Sequence, residues 1–156
     1  MDFHICGLDN RQFSHLYGKD TEYLARHGVR RLTVDSKPGY PCRVSLRDVE
    51  IGEPVLLMNY EHHPGPSPYR SAHAIFVKEW AQTANLARNE VPEVIRTRLL
   101  SVRAFDALGM MVDADVVDGP GLEPLIDRLF SDDSVSYLHI HNAKPGCFAA
   151  RVTRTR

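Results

Sequence analysis

The stretch VLLMNYEHHPGPSPYRSAHAIFV, Val55–Val77, decides how this chain is built. Apolar runs at Val55–Met58 and Ala74–Val77 flank a polar centre from Asn59 to His73. Pro64, Gly65, Pro66 and Pro68 crowd the middle. Proline fixes φ and removes a donor, so a strand ladder stops there and the link is stiff. The pattern predicts two antiparallel strands, Val55–His63 and Ser71–Lys78, joined by a rigid polar loop. His62, Tyr69, Arg70 and His73 cluster at one end of this hairpin. Functional groups concentrate on loops held by a scaffold, so binding is sought here first.

On the N-terminal side, Phe3–Leu8 reads as a strand and Arg11–Tyr17 as a short helix. Asp20 is placed to cap a helix over Glu22–His27, which Gly28 stops. Val29–Val34 alternates like a strand, Ser36–Pro41 is a loop, and Cys42–Leu46 is a short strand. On the C-terminal side, Glu79–Asn89 is a helix or a loose connection in which Trp80 packs. One helical turn at Val91–Arg96 follows. Thr97–Asp106 and Gly109–Asp118 read as paired strands. Gly121–Phe130 puts Leu122, Leu125, Ile126, Leu129 and Phe130 on one stripe, which predicts a helix. Val135–His141 and Cys147–Arg154 form a last hairpin around Lys144-Pro145-Gly146. Strands outnumber helices and hairpins replace βαβ units. The expected class is α+β: a mainly antiparallel curved sheet built from hairpins, with a few helices packed against it.

The 156 residues predict a single domain, 1–156, able to bury a core. Nineteen basic against twenty acidic residues argues against a nucleic-acid partner. No apolar run approaches the ~18 residues of a membrane span, and no basic-plus-apolar leader opens the chain. The expectation is a cytoplasmic protein with reduced thiols. Cys6, Cys42 and Cys147 are widely spaced with no CxxC, which excludes a disulfide framework or a zinc ribbon. Met110–Asp133 carries seven acids against Arg128, while Ser134–Arg156 carries four bases and no acid. These runs are either two solvated surfaces that attract each other or an anion site fed by the C-terminal bases.

Strand alternation sorts the candidate chemistry. Tyr137, His139 and His141 share one face, and Leu138 and Ile140 point into the core. With a five-residue loop, Asn142–Gly146, His141 lies opposite Cys147, His139 opposite Ala149 and Tyr137 opposite Arg151. Phe148, Ala150 and Val152 then face the core. A Cys across from a His is an activated thiolate or half of a zinc site, since His-x-His plus Cys suits zinc. The structural alternative is a small buried thiol with histidines bonded to backbone. Asp113 and Asp115 share a face and suit a hard cation, or simply face solvent. Arg103, fixed on a strand beside Ser101 and Phe105, suits a carboxylate or phosphate, or pairs with Asp106 or Asp115. No Gly-rich phosphate loop or His-Glu-x-x-His helix occurs.

Five runs stand in order here: Tyr40–Leu46 (YPCRVSL), Asn59–His62 (NYEH), Ser67–Val77 (SPYRSAHAIFV), Ser101–Asp106 (SVRAFD) and His141–Phe148 (HNAKPGCF). Together they resemble the bacterial "domain of unknown function 1203" family, from Phe3 to about Val152. The resemblance implies a bacterial single-domain protein and carries no activity, cofactor or catalytic residue.

The residues point to one polar pocket lined by the two hairpins and Arg103, taking a small anionic molecule. Tyr69, Arg70, His73 and Arg103 are the candidate ligand-binding residues. His139, His141 and Cys147 are the candidate catalytic residues, as proton donors and relays or as a metal- or thiol-dependent centre. Whether metal or cofactor takes part is left open by the sequence. The rival reading is a non-catalytic interaction module or homodimer, built on sheet edges or the Pro-rich hairpin, which a flat apolar patch around Tyr60, Tyr69 and Trp80 would favour.

Overall fold

The computed structural model describes residues 1–155. Its strands are β1 (Phe3–Cys6), β2 (Arg30–Thr33), β3 (Pro41–Cys42), β4 (Arg47–Asp48), β5 (Pro54–His63), β6 (Ser71–Val77), β7 (Leu99–Phe105), β8 (Met111–Asp118), β9 (Tyr137–Asn142) and β10 (Phe148–Arg154). Its helices are α1 (Thr21–Arg26), α2 (Glu93–Arg96) and α3 (Leu122–Phe130). The class is α+β, and the strands divide between two five-stranded sheets ordered β1-β10-β9-β7-β8 and β2-β5-β6-β3-β4. The chain forms two compact units. One holds Met1–Cys6, Glu61–His73 and the chain from Leu86 onward; the other holds Gly7–Tyr60 and Ala74–Asn85.

In the first unit every pairing of the sheet is antiparallel. Leu100, Val102 and Ala104 of β7, Leu138 and Ile140 of β9, and Ala150 and Val152 of β10 are buried on one face. Helix α3 lies on that face. Its Arg128 reaches Asp113 and Asp115, which pair with Ala104 and Val102. Its stripe of Leu122, Leu125, Ile126, Leu129 and Phe130 is buried, as the 3.6-residue spacing requires. Gly119 admits the close approach of the preceding turn, because a Cβ there would lie 1.9 Å from the Arg96 carbonyl oxygen. The carboxylates of Asp113 and Asp115 are thus arginine partners at 2.9 Å rather than a bare cation site.

The second unit buries Phe13, Leu16, Leu24, Val55, Leu56, Ile75 and Val77 around its sheet. Asp20 caps α1 by accepting from the Tyr23 amide, as the sequence predicts. Here β3 runs parallel to β6, while β2–β5 and β3–β4 are antiparallel. Two expectations are corrected here. The helix over Arg11–Tyr17 is two separate 3₁₀ turns, Asn10–Gln12 and Ser14–Leu16. So short a segment gains too few helical bonds to offset nucleation. Trp80 is not packed inside. It takes φ 66° at a turn, lies 71% exposed, and meets the Tyr17 ring at a tilt, 5.1 Å between centroids.

The last hairpin forms between β9 and β10 as expected, but its register is corrected. Phe148, not Cys147, lies opposite His141, and Arg151 rather than Ala149 lies opposite His139. A bulge between Phe148 and Ala150 adds one residue to β10. Beyond it, Ala150 and Val152 face the core as predicted; before it, Phe148 is turned to the histidine face.

Truncating a leucine on the α3 stripe leaves a cavity, so Leu125→Ala should cost on the order of 2–5 kcal/mol. Arg128→Ala, which breaks only exposed pairs, should cost under ~1 kcal/mol. Denaturant midpoints of the two variants check the contrast, and equal midpoints would contradict this placement of α3.

Candidate functional site

The second face of the first unit's sheet carries the polar chemistry in cross-strand rows. Phe148, His141, Ser101 and Val116 form one row. Cys6, Arg151, His139, Arg103 and Ala114 form the next. Thr153, Tyr137 and Phe105 follow. The hairpin end Glu61–His73 adds His62, His63 and His73 to this face. Their rings touch those of the rows: His62 stacks on Phe148 at 5.1 Å, His63 on Phe105 at 4.2 Å, and His73 meets His141 edge-on at 5.3 Å.

Five histidines therefore converge, and four of them are buried: His62, His63, His139 and His141. Imidazole tips are held by short hydrogen bonds. His62 Nε2 lies 2.8 Å from His73 Nδ1, and His63 Nε2 lies 2.8 Å from the Tyr137 hydroxyl. His141 Nδ1 lies 3.0 Å from the Gly146 carbonyl oxygen. A carbonyl only accepts, so Nδ1 carries the proton and the neutral ring keeps its lone pair on Nε2. The hairpin turn makes this possible: Gly146 takes φ 78° and its amide bonds Asn142. A second glycine shapes the rim. Gly109, at φ 76°, accepts from the Ser67 hydroxyl through its carbonyl, and a Cβ there would meet the His63 ring at 3.2 Å.

Burial is the main force on these imidazoles, since charging one away from water is costly. It draws His139 down to about 2, His141 to about 3 and His62 to about 4. His63 and His73 are lowered for the same reason. The positive charge of Arg103 pushes His62, His73 and His141 the same way, while the Gly146 bond partly opposes it at His141. Arg103 itself is half-buried, with burial acting against its charge. Its Nε reaches Ser101 Oγ at 3.4 Å. The two carboxylates considered as its partners are taken: Asp115 by Arg128, and Asp106 by the amides of Leu108 and Met110.

Of the residues singled out from sequence, His73, Arg103, His139 and His141 come together. Tyr69 stands at the edge, its ring T-shaped to Phe105 at 6.3 Å and partly open to solvent. Arg70 turns to Glu61 at 3.0 Å and is exposed. Cys147 bonds Asn142 instead of facing His141: its carbonyl accepts the Asn142 amide, and its sulfur lies 3.7 Å from Asn142 Nδ2. His62, which the sequence places at the hairpin end without a binding role, and His63, which it does not single out, lie adjacent on β5 and are both buried. Strict alternation would bury only one of them, so the sequence carried no signal for the pair. One ring nitrogen each of His62, His73 and His141 lie within 4.8 Å of one another.

The chain belongs to the family described as "Protein of unknown function (DUF1203)", whose model matches residues 39–154. That span contains every histidine and arginine of the site. No curated protein and no solved structure matches the chain.

The lowered imidazoles fix the sign of the pH dependence. Below an ordinary value of 6.5 the unfolded chain takes up protons that the folded chain refuses. Stability is therefore full above pH ~6.5 and falls as pH drops towards 4, by up to about 1.4 kcal/mol per pH unit for each protected histidine. His139→Gln should flatten that slope by about one such increment. Denaturant titrations between pH 7 and pH 4.5 measure it, and an unchanged slope would count against the buried, neutral His139.

Proposed function

We propose that this face binds a small anionic molecule, with Arg103 as the anchor and His139 and His141 as proton donors or acceptors. The observation that carries it is the half-buried guanidinium of Arg103 beside neutral imidazoles, with both neighbouring carboxylates engaged elsewhere. An arginine held away from water gains most from a bidentate carboxylate or phosphate, because charge-assisted bonds strengthen as water is excluded. His141 presents an Nε2 lone pair as an acceptor, and burial first, then the Arg103 charge, keeps it unprotonated at neutral pH. Tyr69, at the edge, would orient a bound ligand. Arg70 leaves the proposal because Glu61 already holds it. Cys147 leaves it because Phe148 occupies the place opposite His141.

A second reading is favoured by one observation. Strand β8 lies at one edge of the sheet, Val116 on it is 57% exposed, and Leu99 on its neighbour β7 is exposed as well. Unprotected edges with apolar side chains pair with other edges, so a homodimer through β8 is the alternative role. Sedimentation of the wild type and Val116→Lys separates the two: a dimer that the lysine dissociates supports it, and a monomer at high concentration dismisses it.

For the anion reading, thermal shift with acetate, malonate and phosphate near pH 7.5 is the first measurement. A hundredfold excess over Kd stabilises by about 2.7 kcal/mol, several degrees in a domain of this size. Arg103→Gln should fold and lose the shift. A variant that keeps the whole shift takes Arg103 out of the site.

A further inference from the structure

We infer that His62, His73 and His141 bind a divalent transition-metal ion of the zinc class, leaving an exchangeable coordination place beside Arg103. The three come from three strands, β5, β6 and β9, and a ring nitrogen of each lies within 4.8 Å of the others. Among the described residues, no other set of three histidine, cysteine or carboxylate side chains meets that spacing. Imidazole is a preferred ligand of zinc, copper and nickel, and three neutral nitrogens with one open place are the arrangement of catalytic zinc.

Three further observations favour an ion over a merely packed cluster. His141 donates Nδ1–H to the Gly146 carbonyl, which leaves Nε2 as a lone pair. That is the outer-shell bond that fixes the tautomer of a ligating histidine. His141 Nε2 is buried and without a hydrogen-bond partner among the described residues. Buried polar atoms of this kind are normally satisfied, so an orphaned lone pair inside a histidine cluster asks for a ligand. Phe148 lies flat on His62, at 5° between ring planes, and edge-on to His141 at 5.9 Å. It holds both rings in place and makes a dry wall, as the apolar shell around a metal does.

The bond of 2.8 Å between His62 and His73 is the competing state. It shares one proton between two nitrogens. Two ligands of one tetrahedral ion, each about 2.0–2.1 Å from it, sit about 3.3 Å apart, so an ion replaces that proton and opens the contact by about half an ångström. Side-chain rotation has to accommodate this and to draw in the nitrogens that lie as far as 4.8 Å apart. Three neutral imidazoles do not offset the charge of the ion, and Arg103 adds to it. The open place therefore favours hydroxide or a small anion. The metal assignment stands on the imidazoles alone; the pairing of metal-bound anion with Arg103 rests on the anion proposal above.

The test uses the full chain, freed of metal with a chelator and then titrated with Zn²⁺ and Co²⁺ against a chromophoric competitor. We expect one ion per chain, visible absorption of tetrahedral Co²⁺, and binding at least tenfold weaker in His73→Ala and His141→Ala. His73 is partly exposed, so its variant decides the matter should His141→Ala not fold. His27→Ala, an exposed histidine remote in sequence, should bind as the wild type does. No uptake by the wild type, or equal weakening in His27→Ala and His73→Ala, overturns the site. Arg103→Gln should keep the ion while phosphate no longer changes the Co²⁺ spectrum. If the metal-free wild type binds anions yet takes no ion, the metal inference alone falls. If the ion binds at the histidines and Arg103→Gln retains the phosphate response, the role of Arg103 falls instead.

Discussion

One extra residue in β10 sets the character of the whole sheet face. Regular antiparallel pairing sends every second residue to the same side, so Phe148, Ala150 and Val152 would all enter the core. The bulge at Ala149 breaks that parity. Ala150 and Val152 stay opposite Ile140 and Leu138, and Phe148 turns to stand opposite His141. Its ring then contacts His62, His139 and His141. Those contacts remove water from the imidazoles, and loss of water is the first cause of their lowered basicity. The inserted residue thus links strand geometry to the protonation state of the cluster. Bulges beside functional sites commonly re-aim a side chain in this way.

Neutral imidazoles are versatile because each keeps one donor and one acceptor. Hydrogen bonds decide which nitrogen is which. At His141 the turn carbonyl of Gly146 decides it, so the left-handed glycine in the hairpin loop has an electronic consequence on the adjoining strand. At His63 the partner is the Tyr137 hydroxyl, itself beneath the Arg151 guanidinium at 4.2 Å. The cation lies over the ring face, where the quadrupole is negative. Arg151, one of the C-terminal bases, thereby helps orient the cluster without forming an ion pair that would cancel its charge.

Much of this was legible in the sequence, and the reasons for the rest are local. The stripe of α3, the cap at Asp20, and the strands on either side of Pro64–Pro68 follow from period and turn chemistry, and they formed. The alternation that put Tyr137, His139 and His141 on one face, away from Leu138 and Ile140, was also readable. The bulge was not, because a single Ala in Phe-Ala-Ala gives no sign of which residue is unpaired. That one-residue error carried Cys147 towards the site and Phe148 away from it. Arg70 looked like Arg103 on paper. What separates them is a partner nine residues back, Glu61, whose reach depends on the hairpin register. The division into two sheets lay beyond reach as well, since strand patterns give faces but not neighbours.

Arg103 is the point where these threads meet. Around the same unit, Arg96 is held by Glu123, Arg128 by Asp113 and Asp115, Arg88 by Asp2 and Arg70 by Glu61. Those pairs neutralise each other and are exposed enough that each adds little to stability. Arg103 is placed differently: it is half-buried and its Nε reaches a neutral hydroxyl, that of Ser101. Keeping a charge there opposes folding, as the lowered basicity caused by burial records. The same charge suppresses protonation of three neighbouring histidines. A core built for stability alone would place a carboxylate or an apolar side chain at this position. An anion bound there, as we propose, would offset the cost of the present arrangement, because the guanidinium would gain a charged partner and the charge repelling the imidazoles would be neutralised. The strain is local, electrostatic and reversible, which is how binding sites differ from cores.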